Sequence, residues 1–178
     1  MIFATVGTQL PFDRLLSALD GWASANPDVP VIAQTGQTRT PFTHLQCQAH
    51  LDQDGFAAMM AQAKVIVAHA GMGTILSAAE AGKPLILMPR RAAFGEHRND
   101  HQLATAAEMA VLSNVTVIED AADLAPALQD ALAGGETVQP RLPAIASAPL
   151  LDALKAFIWN EDSRPIRSSR AIGSGVRA

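Results

Sequence analysis

Short runs of β-branched and aliphatic residues alternate along the chain with longer segments of helical periodicity. This alternation predicts βα units, in which each strand of a parallel sheet is followed by a helix that leads to another strand. Most of the apolar runs are continuous, as expected for strands that are buried on both faces. The predicted strands cover residues 2–6, 29–34, 44–48, 65–69, 84–88 and 115–118.

The segments between these runs carry apolar residues at helical spacing. In the first segment, Leu15, Leu16, Leu19 and Trp22 fall on one stripe, which predicts a helix packed on the sheet. Gly82, followed by Pro84, predicts the end of the third helix. The predicted helices cover residues 12–25, 55–63, 74–81, 100–110 and 120–133. We therefore expect an α/β protein with a Rossmann-like parallel sheet and helices on both faces.

The pattern changes after residue 135. Prolines punctuate the chain before a short apolar segment, residues 150–159, which predicts a final helix. Residues 161–178 are polar and rich in Gly, Ser and Arg, which predicts a disordered basic tail. The tail either contacts an anionic membrane surface or acidic partner, or is a solvated terminus. The sequence thus predicts one domain, residues 1–160, followed by a tail.

Composition excludes several classes of protein. The 178 residues include 13 Lys and Arg and 17 Asp and Glu, a formal net charge of −4, which argues against a nucleic-acid partner. A single cysteine, Cys47, cannot form an intramolecular disulfide and fits a reducing cytosol. The N-terminus has no basic segment before Arg14, and no apolar run approaches the ~20 residues of a membrane-spanning helix. We therefore expect a cytoplasmic protein.

The most informative turn follows the fourth predicted strand and reads His69-Ala70-Gly71-Met72-Gly73-Thr74. Glycines here let a ligand approach the backbone, and the N-terminus of the next helix favours an anion such as a phosphate. Thr74 adds a hydroxyl donor or caps the helix. By spacing alone, the turn could equally be a tight connection, with His69 a core histidine. The turn lacks the third glycine of a dinucleotide fingerprint, and the chain has no Walker A loop.

A second polar segment, residues 89–102, follows the fifth predicted strand and holds three of the 13 basic residues. Its arginines, Arg90 among them, offer cations to a diphosphate, and Asn99, His101 and Gln102 offer directional hydrogen bonds to sugar hydroxyls. The alternative is a solvated, salt-bridged loop in which Asn99 caps the next helix.

Two further polar turns follow the first and second predicted strands. Gly7 and Thr8 could approach a phosphate or an acceptor, while Asp13 could merely cap the first helix. Residues 34–38 form a similar turn. Because the carboxyl ends of parallel strands meet at one edge of the sheet, these turns together predict a binding crevice.

Four stretches carry a family resemblance: Thr5-Val6-Gly7-Thr8 with Phe12-Asp13, His69 to Thr74, Gly82-Lys83-Pro84, and Asn99-Asp100-His101-Gln102. Over residues 1–157 the chain resembles the C-terminal domain of glycosyltransferase family 28, the MurG-like group. More narrowly, it resembles the small donor-binding subunits of two-component UDP-sugar transferases. The arginine-rich segment looks closest to the bacterial exopolysaccharide and capsule branch.

The resemblance implies the C-terminal half of a GT-B glycosyltransferase, with UDP-sugar as donor substrate and no cofactor. A membrane-associated subunit would supply the N-terminal half and a lipid-linked acceptor, and would hold this chain at the inner face of the membrane. His69 and the turn of Gly71, Met72, Gly73 and Thr74 would contact the donor diphosphate. His101 and Gln102 would contact sugar hydroxyls, and Gly7 and Thr8 would line the cleft.

The resemblance also implies a hexosyltransferase-type enzyme that is active only with its partner. The transferred sugar would be a hexose, an N-acetylhexosamine or a uronic acid. An inverting, metal-independent transfer is expected, because a helix N-terminus and arginines can stabilise the departing UDP, with the base on the partner and His97 as a weaker candidate. Related proteins often have a ribose-binding Glu where this chain has Ser77, and the next carboxylate is Glu80. The alternatives are a non-catalytic nucleotide-sugar-binding or regulatory subunit, and a complete small Rossmann-like enzyme of unrelated chemistry.

Overall fold

A computed structural model describes residues 1–134; the segment predicted as a helix at 150–159 and the tail at 161–178 lie outside the described residues. The strands are β1 (Ile2–Thr5), β2 (Val31–Gln34), β3 (Gln46–Gln48), β4 (Val65–Ala68), β5 (Leu85–Leu87) and β6 (Val115–Val117). The helices are α1 (Asp13–Ala25), α2 (Gln53–Gln62), α3 (Met72–Glu80), α4 (His101–Met109) and α5 (Leu124–Ala133). All elements predicted up to residue 133 are present, with ends shifted by one or two residues except at the start of α5.

The six strands form one parallel sheet in the order β3-β2-β1-β4-β5-β6. The chain therefore builds outward from β1 in one direction and from β4 in the other. In the central register, Thr5 stands opposite Gln34 on one side and Ala68 on the other. Open sheets of this kind bind ligands outside the carboxyl ends of the strands, at the point where the order reverses. Here that point lies between β1 and β4.

Helices cover both faces of the sheet, as predicted. On one face, Leu15, Leu16 and Leu19 of α1 are fully buried in a core that also includes Leu124 and Leu128 of α5. On the other face, Phe3 of β1 meets Phe56 of α2 edge to face, with ring centroids 5.6 Å apart. This arrangement confirms the predicted α/β, Rossmann-like fold.

Two helix starts differ from the sequence prediction because of local capping. Helix α2 begins before residue 55, since the Asp52 carboxylate accepts a hydrogen bond from the Gly55 N–H at 2.8 Å. Before α5, residues Ala121–Asp123 form a short 3-10 turn, in which Asp120 and Asp123 satisfy each other's backbone N–H groups. Aspartates therefore fix both starts, at positions that apolar periodicity alone does not show.

Gly82 terminates helix α3, as predicted. The N–H of Gly82 donates to the Ala79 carbonyl, and the N–H of Lys83 donates to the Ala78 carbonyl, which is the Schellman arrangement. Helix α3 therefore runs from Met72, beside the carboxyl end of β4, to Glu80 near the start of β5. Within residues 1–134, no helix combines the length and apolar character needed to cross a membrane.

Candidate functional site

His69 lies directly after β4, where the strand order reverses, and its ring packs between two backbone turns. A Cβ atom added to Gly7 would lie 3.0 Å from His69 Cε1, and one added to Gly71 would lie 2.3 Å from Nε2. Gly7 also has a φ of +74°, in the left-handed region that favours glycine. The glycines of both turns thus make room for the imidazole itself.

The environment of His69 keeps the imidazole neutral. Burial is the main cause that lowers the pKa of His69 to about 4, and the nearby charge of Arg90 adds to this effect. The Thr5 carbonyl acts in the opposite direction, although Nδ1 makes no hydrogen bond of ordinary geometry. At pH 7 the ring therefore carries no charge, and it can offer a hydrogen bond but not a cation to a ligand.

The N-terminus of α3 lies beside this ring and is open. Gly71 is its N-cap residue and provides no side-chain cap. In the part of the chain described, the backbone N–H groups of Met72, Gly73 and Thr74 have no hydrogen-bond acceptor. These groups carry the positive end of the helix dipole, so the first turn of α3 favours an anion. Thr74 is 9% exposed, whereas Met72 is 45% exposed.

Arg90, which follows β5, lies beneath the loop between β1 and α1. Its side chain is buried, and its guanidinium donates hydrogen bonds to the main-chain carbonyls of Val6, Leu10 and Pro11. Burial lowers the pKa of Arg90 to about 10, while Glu96 acts in the opposite direction, so the group stays charged at pH 7. The sequence predicted that Arg90 contacts a diphosphate directly. In the structure its guanidinium N–H groups donate to protein carbonyls instead.

The predicted sugar-binding residues lie on the loop after β5 and at the start of α4. The rings of His97 and His101 are 4.5 Å apart and nearly perpendicular, and His101 Nδ1 contacts Asn99 Oδ1 at 2.5 Å. Gln102 is 4% exposed, and its Oε1 accepts from the Arg90 N–H at 3.1 Å. His97 lies near enough to His69 to influence its pKa. The structure therefore connects these residues with the His69 turn.

The start of α4 differs from the prediction that Asn99 caps this helix. Asp100, not Asn99, occupies the N-cap position, and its carboxylate accepts from the Ala92 N–H at 2.7 Å without capping α4. Asn99 is exposed and pairs with His101. Asn99 is therefore not the helix cap that the alternative of a salt-bridged loop predicted, although salt bridges of that loop, Arg14–Glu96 and Arg91–Glu119, are present.

The loop between β1 and α1 is also braced from the turn after β2. The Phe12 N–H donates to Thr38 Oγ1 at 3.1 Å, and Thr40 Oγ1 donates to the Asp13 carboxylate at 2.9 Å. Asp13 thus binds a neighbouring loop rather than capping α1. Thr8 is exposed, and its hydroxyl makes no hydrogen bond within the described residues.

The two candidates for ribose recognition lie at different heights along α3. Ser77 is partly buried in the middle of the helix, and Glu80 is its last residue. At a rise of about 1.5 Å per residue, Glu80 lies roughly 12 Å along the axis from Met72. The crevice end of α3 is therefore closer to Ser77 than to Glu80.

Sequence reasoning missed a buried carboxylate, Glu96. It is 8% exposed, and its two oxygens accept from Arg14 Nε and Nη2 and from the Arg91 N–H. A lone Glu in an arginine-rich segment is the only sequence signal, and it does not reveal Arg14 as the partner. It also missed Phe94, which is 57% exposed and lies under the guanidinium of Arg14, 5.2 Å from its ring centroid.

No metal centre is evident in the described residues, since no three His, Cys, Asp or Glu side chains there are grouped to hold an ion. The charge of the Arg90 guanidinium is near enough to act on His69, and free backbone donors lie at the start of α3. The arrangement combines a neutral imidazole, an open helix N-terminus and a positive charge. It is suited to holding a phosphate group without a metal ion.

Comparison with solved structures finds the same fold in sugar-processing proteins. ALG13 is 17% identical, with a TM-score of 0.56, and the match covers 86% of this chain and 93% of that one. The calicheamicin glycosyltransferase CalG4 is 17% identical, with a TM-score of 0.55 and coverage of 90% and 43%. A Listeria monocytogenes protein assigned as a UDP-N-acetylglucosamine 2-epimerase is 13% identical, with a TM-score of 0.57 and coverage of 92% and 46%. Identities this low show the fold, and the fold is shared by more than one reaction type.

The length of the matched proteins is informative as well. This chain spans 34%, 43% and 35% of three glycosyltransferases that it resembles, but almost all of ALG13. A search of curated proteins gives no match. The family model of the glycosyltransferase family 28 C-terminal domain matches residues 1–155, which is most of the chain. The chain therefore belongs to glycosyltransferase family 28, as a C-terminal domain of that family.

Proposed function

We propose that this chain is the UDP-sugar-binding catalytic subunit of a two-subunit GT-B glycosyltransferase. The observation that carries the proposal is the placement of His69 between Gly7 and Gly71, beside the uncapped N-terminus of α3. A nucleotide diphosphate has the charge and the acceptor oxygens that this turn can bind. Family membership makes a sugar nucleotide the natural diphosphate ligand.

In the proposed complex, the donor diphosphate lies against the first turn of α3. The free N–H groups of Met72, Gly73 and Thr74 would donate to its oxygens, and His69 would add a neutral donor. As the sugar–phosphate bond breaks, negative charge grows on the departing UDP. Fixed backbone donors that face this charge stabilise the transition state, so the transfer needs neither a metal ion nor a cofactor.

The sugar would lie toward the loop after β5. Asn99 and His101 are exposed and already paired with each other, which orients their polar atoms before a ligand arrives. Gln102 is held by the Arg90 main chain, and Thr8 offers a hydroxyl from the opposite side of the crevice. These groups can recognise the hydroxyls of a hexose, an N-acetylhexosamine or a uronic acid.

A partner subunit would complete the crevice. This chain covers 43% of CalG4, and we propose that a second polypeptide supplies the other half of the transferase. Met72 and Phe94, two of the large apolar side chains exposed in residues 1–134, both follow carboxyl ends of strands and so lie on the crevice edge. We assign that edge to the partner, which would be membrane-associated and present a lipid-linked acceptor in exopolysaccharide or related glycan synthesis.

The acceptor hydroxyl must lose a proton during transfer. The base is assigned to the partner, because the imidazole of His69 is confined between two glycine turns. His97 is the alternative base on this chain, as it is partly exposed and its Nδ1 has no partner in the described residues. Inversion at the anomeric carbon follows if the acceptor attacks from the face opposite the UDP.

A non-catalytic role is the main alternative, because one lobe with a donor site could bind a nucleotide sugar without transferring it. Co-expression with a membrane-associated candidate partner, followed by a radiolabelled UDP-sugar transfer assay, separates the two. Transfer by the pair and none by either chain alone supports the proposal. Donor binding without transfer in any pair favours a binding or regulatory subunit, and transfer by this chain alone favours a complete small enzyme.

A further inference from the structure

Arg90 makes an unusual number of main-chain contacts for one side chain. Its Nη1 donates to the carbonyls of Pro11 and Glu96, and its Nη2 donates to those of Val6 and Leu10. The partners are 79, 6, 84 and 80 residues away in sequence, respectively. One guanidinium therefore joins the loop after β1 to the loop after β5.

Arg90 also contacts the residues at the starts of α1 and α4. The guanidinium carbon lies 4.6 Å from the centroid of the Phe12 ring, and the residue is 2% exposed. Its main-chain N–H donates to Gln102 Oε1. Phe12 is the last residue before α1, and Gln102 lies in the first turn of α4. Arg90 thus contacts both loops and the starts of both helices.

The planar guanidinium suits this position better than an ammonium would. It has five N–H donors in a fixed plane, and four carbonyls accept from its two terminal nitrogens. A lysine has three donors and no plane to stack on Phe12. Because these donors bind carbonyls, they do not point to a ligand, and the effect of Arg90 on a ligand must pass through other residues.

The loop that Arg90 holds carries Gly7, which lies so close to His69 that a Cβ atom added to it would be 3.0 Å from Cε1 of the ring. If the carbonyls of Val6, Leu10 and Pro11 were released, the loop would keep its bonds toward β2, from the Val6 N–H to the Gln34 carbonyl at 3.2 Å and from the Phe12 N–H to Thr38 Oγ1 at 3.1 Å. It would lose the hydrogen bonds that tie it to the loop after β5, and the Gly7 N–H itself has only a weak contact with Thr5 Oγ1, at 3.5 Å. We propose that Arg90 is a positioning residue that fixes the Gly7 turn against His69 and so sets the imidazole beside the N-terminus of α3. The effect of this role on UDP-sugar binding rests on the proposed function. The position of the Gly7 turn against His69 can be measured without a ligand.

The titration of His69 reports on Arg90, because the charge of Arg90 lowers the pKa of His69. Arg90 is one of the groups that hold the pKa of His69 low, and burial is the larger cause. Arg90→Gln removes the charge and loosens the turn, so both effects raise the pKa of His69. Arg90→Lys keeps the charge but cannot bind four carbonyls, so the turn loosens and the ring becomes better solvated. Both variants should move the His69 titration toward the ordinary histidine value of about 6.5.

The test uses the full chain with Arg90→Lys, Arg90→Gln and the matched control Arg14→Lys. Arg14 is also an arginine in a buried network, but it donates to Glu96, Pro89 and Glu119 and not to the Gly7 turn. NMR titration of His69, amide exchange at residues 7 and 8, and calorimetry with UDP are measured for each protein. We expect a raised His69 pKa, faster exchange, and UDP binding weakened roughly tenfold in both Arg90 variants.

Arg14→Lys should lower the unfolding midpoint while leaving the His69 titration and the exchange at residues 7 and 8 unchanged. An unchanged His69 titration and unchanged exchange in Arg90→Lys would overturn the positioning role, whatever the affinity for UDP. If Arg90→Gln does not fold, Arg90→Lys alone decides. Failure of the natural chain to bind UDP, together with the expected NMR changes, would refute the proposed donor site and leave the positioning role standing.

Discussion

The carboxylate of Glu96 forms two hydrogen bonds with the guanidinium of Arg14, from Nε at 2.7 Å and from Nη2 at 2.9 Å. The two residues are 82 positions apart, and their pairing joins the first turn of α1 to the loop after β5. Glu96 also accepts from the Arg91 N–H. Together with Arg90, this pair makes the two loops one connected unit at the edge of the sheet where the candidate site lies.

Replacement of Glu96 should therefore destabilise the protein. Glu96→Gln removes a mostly buried charge and leaves the Arg14 guanidinium without its anion, so we expect a loss of roughly 2 kcal/mol in the free energy of unfolding. Glu119→Gln is the matched control, because Glu119 pairs with Arg91 through a side chain that is 69% exposed. That change should cost less than about 0.5 kcal/mol. Urea unfolding measures both, and equal losses would contradict the assigned burial of Glu96.

The histidine at the site predicts a pH dependence of stability. The pKa of His69 is about 4 in the folded protein, against 6.5 for the ordinary side chain. Between these values the unfolded chain binds a proton that the folded chain does not, so stability falls as the pH falls from 6.5 toward 4. Above pH 6.5 the imidazole is neutral in both the folded and the unfolded chain, so His69 no longer lowers the stability.

His69→Asn removes this titration, so its stability should fall less steeply between pH 6.5 and 4 than that of the natural chain. Unfolding in urea at several pH values within this range gives the two slopes. Parallel slopes would show that His69 is not held in the neutral form by the fold.

Adding a methyl group at Gly71 should weaken UDP binding, because Gly71 lies against the ring of His69. Gly71→Ala would place a Cβ atom 2.3 Å from the ring nitrogen, so the imidazole must move. We expect weaker UDP binding and altered His69 chemical shifts. Gly21→Ala is the control, since a Cβ atom there has nothing within 4 Å and Gly21 lies inside α1. It should stabilise the helix by about 0.5–1 kcal/mol and leave UDP binding unchanged.

The sequence predicted the fold well because each strand and helix has a strong local signal. Continuous apolar runs mark the buried strands, and the stripe of Leu15, Leu16 and Leu19 marks α1. The position of His69 followed from the order of the elements, since it directly follows a strand at the sheet centre. These features depend on residues close together in sequence, so they can be predicted from the sequence alone.

The roles of Arg90 and Glu96 could not be predicted in the same way. Arginines in a polar segment after a strand resemble ligand-binding or solvated cations, and nothing in that segment shows that Arg90 is buried. Its carbonyl partners at Val6 and Leu10 are more than 70 residues away. Burial of a charged group depends on such distant partners, and these become visible only when the two loops are placed in space.

In the proposed two-subunit arrangement, the exposed Phe94 lies on the surface that would bind the partner. Phe94→Ser should leave the unfolding midpoint nearly unchanged, because the ring is 57% exposed, and should weaken assembly with the partner about tenfold. Val111→Ser is the matched control, since Val111 is 79% exposed and follows α4 at the opposite edge of the sheet. Pull-down or light scattering of the co-expressed pair measures both variants. Equal effects, or an effect of Val111→Ser alone, would move the interface away from the crevice edge.

The turn between β4 and α3 is proposed to bind the diphosphate of a sugar nucleotide, and calorimetric titration of the full chain with UDP measures that binding. His44→Ala serves as the control, because His44 is exposed and only its backbone N–H makes a described contact, to Asp20. We predict that the natural chain and His44→Ala bind UDP alike, and that His69→Ala remains folded but binds at least about tenfold more weakly. Equal affinity of His69→Ala and the natural chain, or no binding by the natural chain, would contradict the claim.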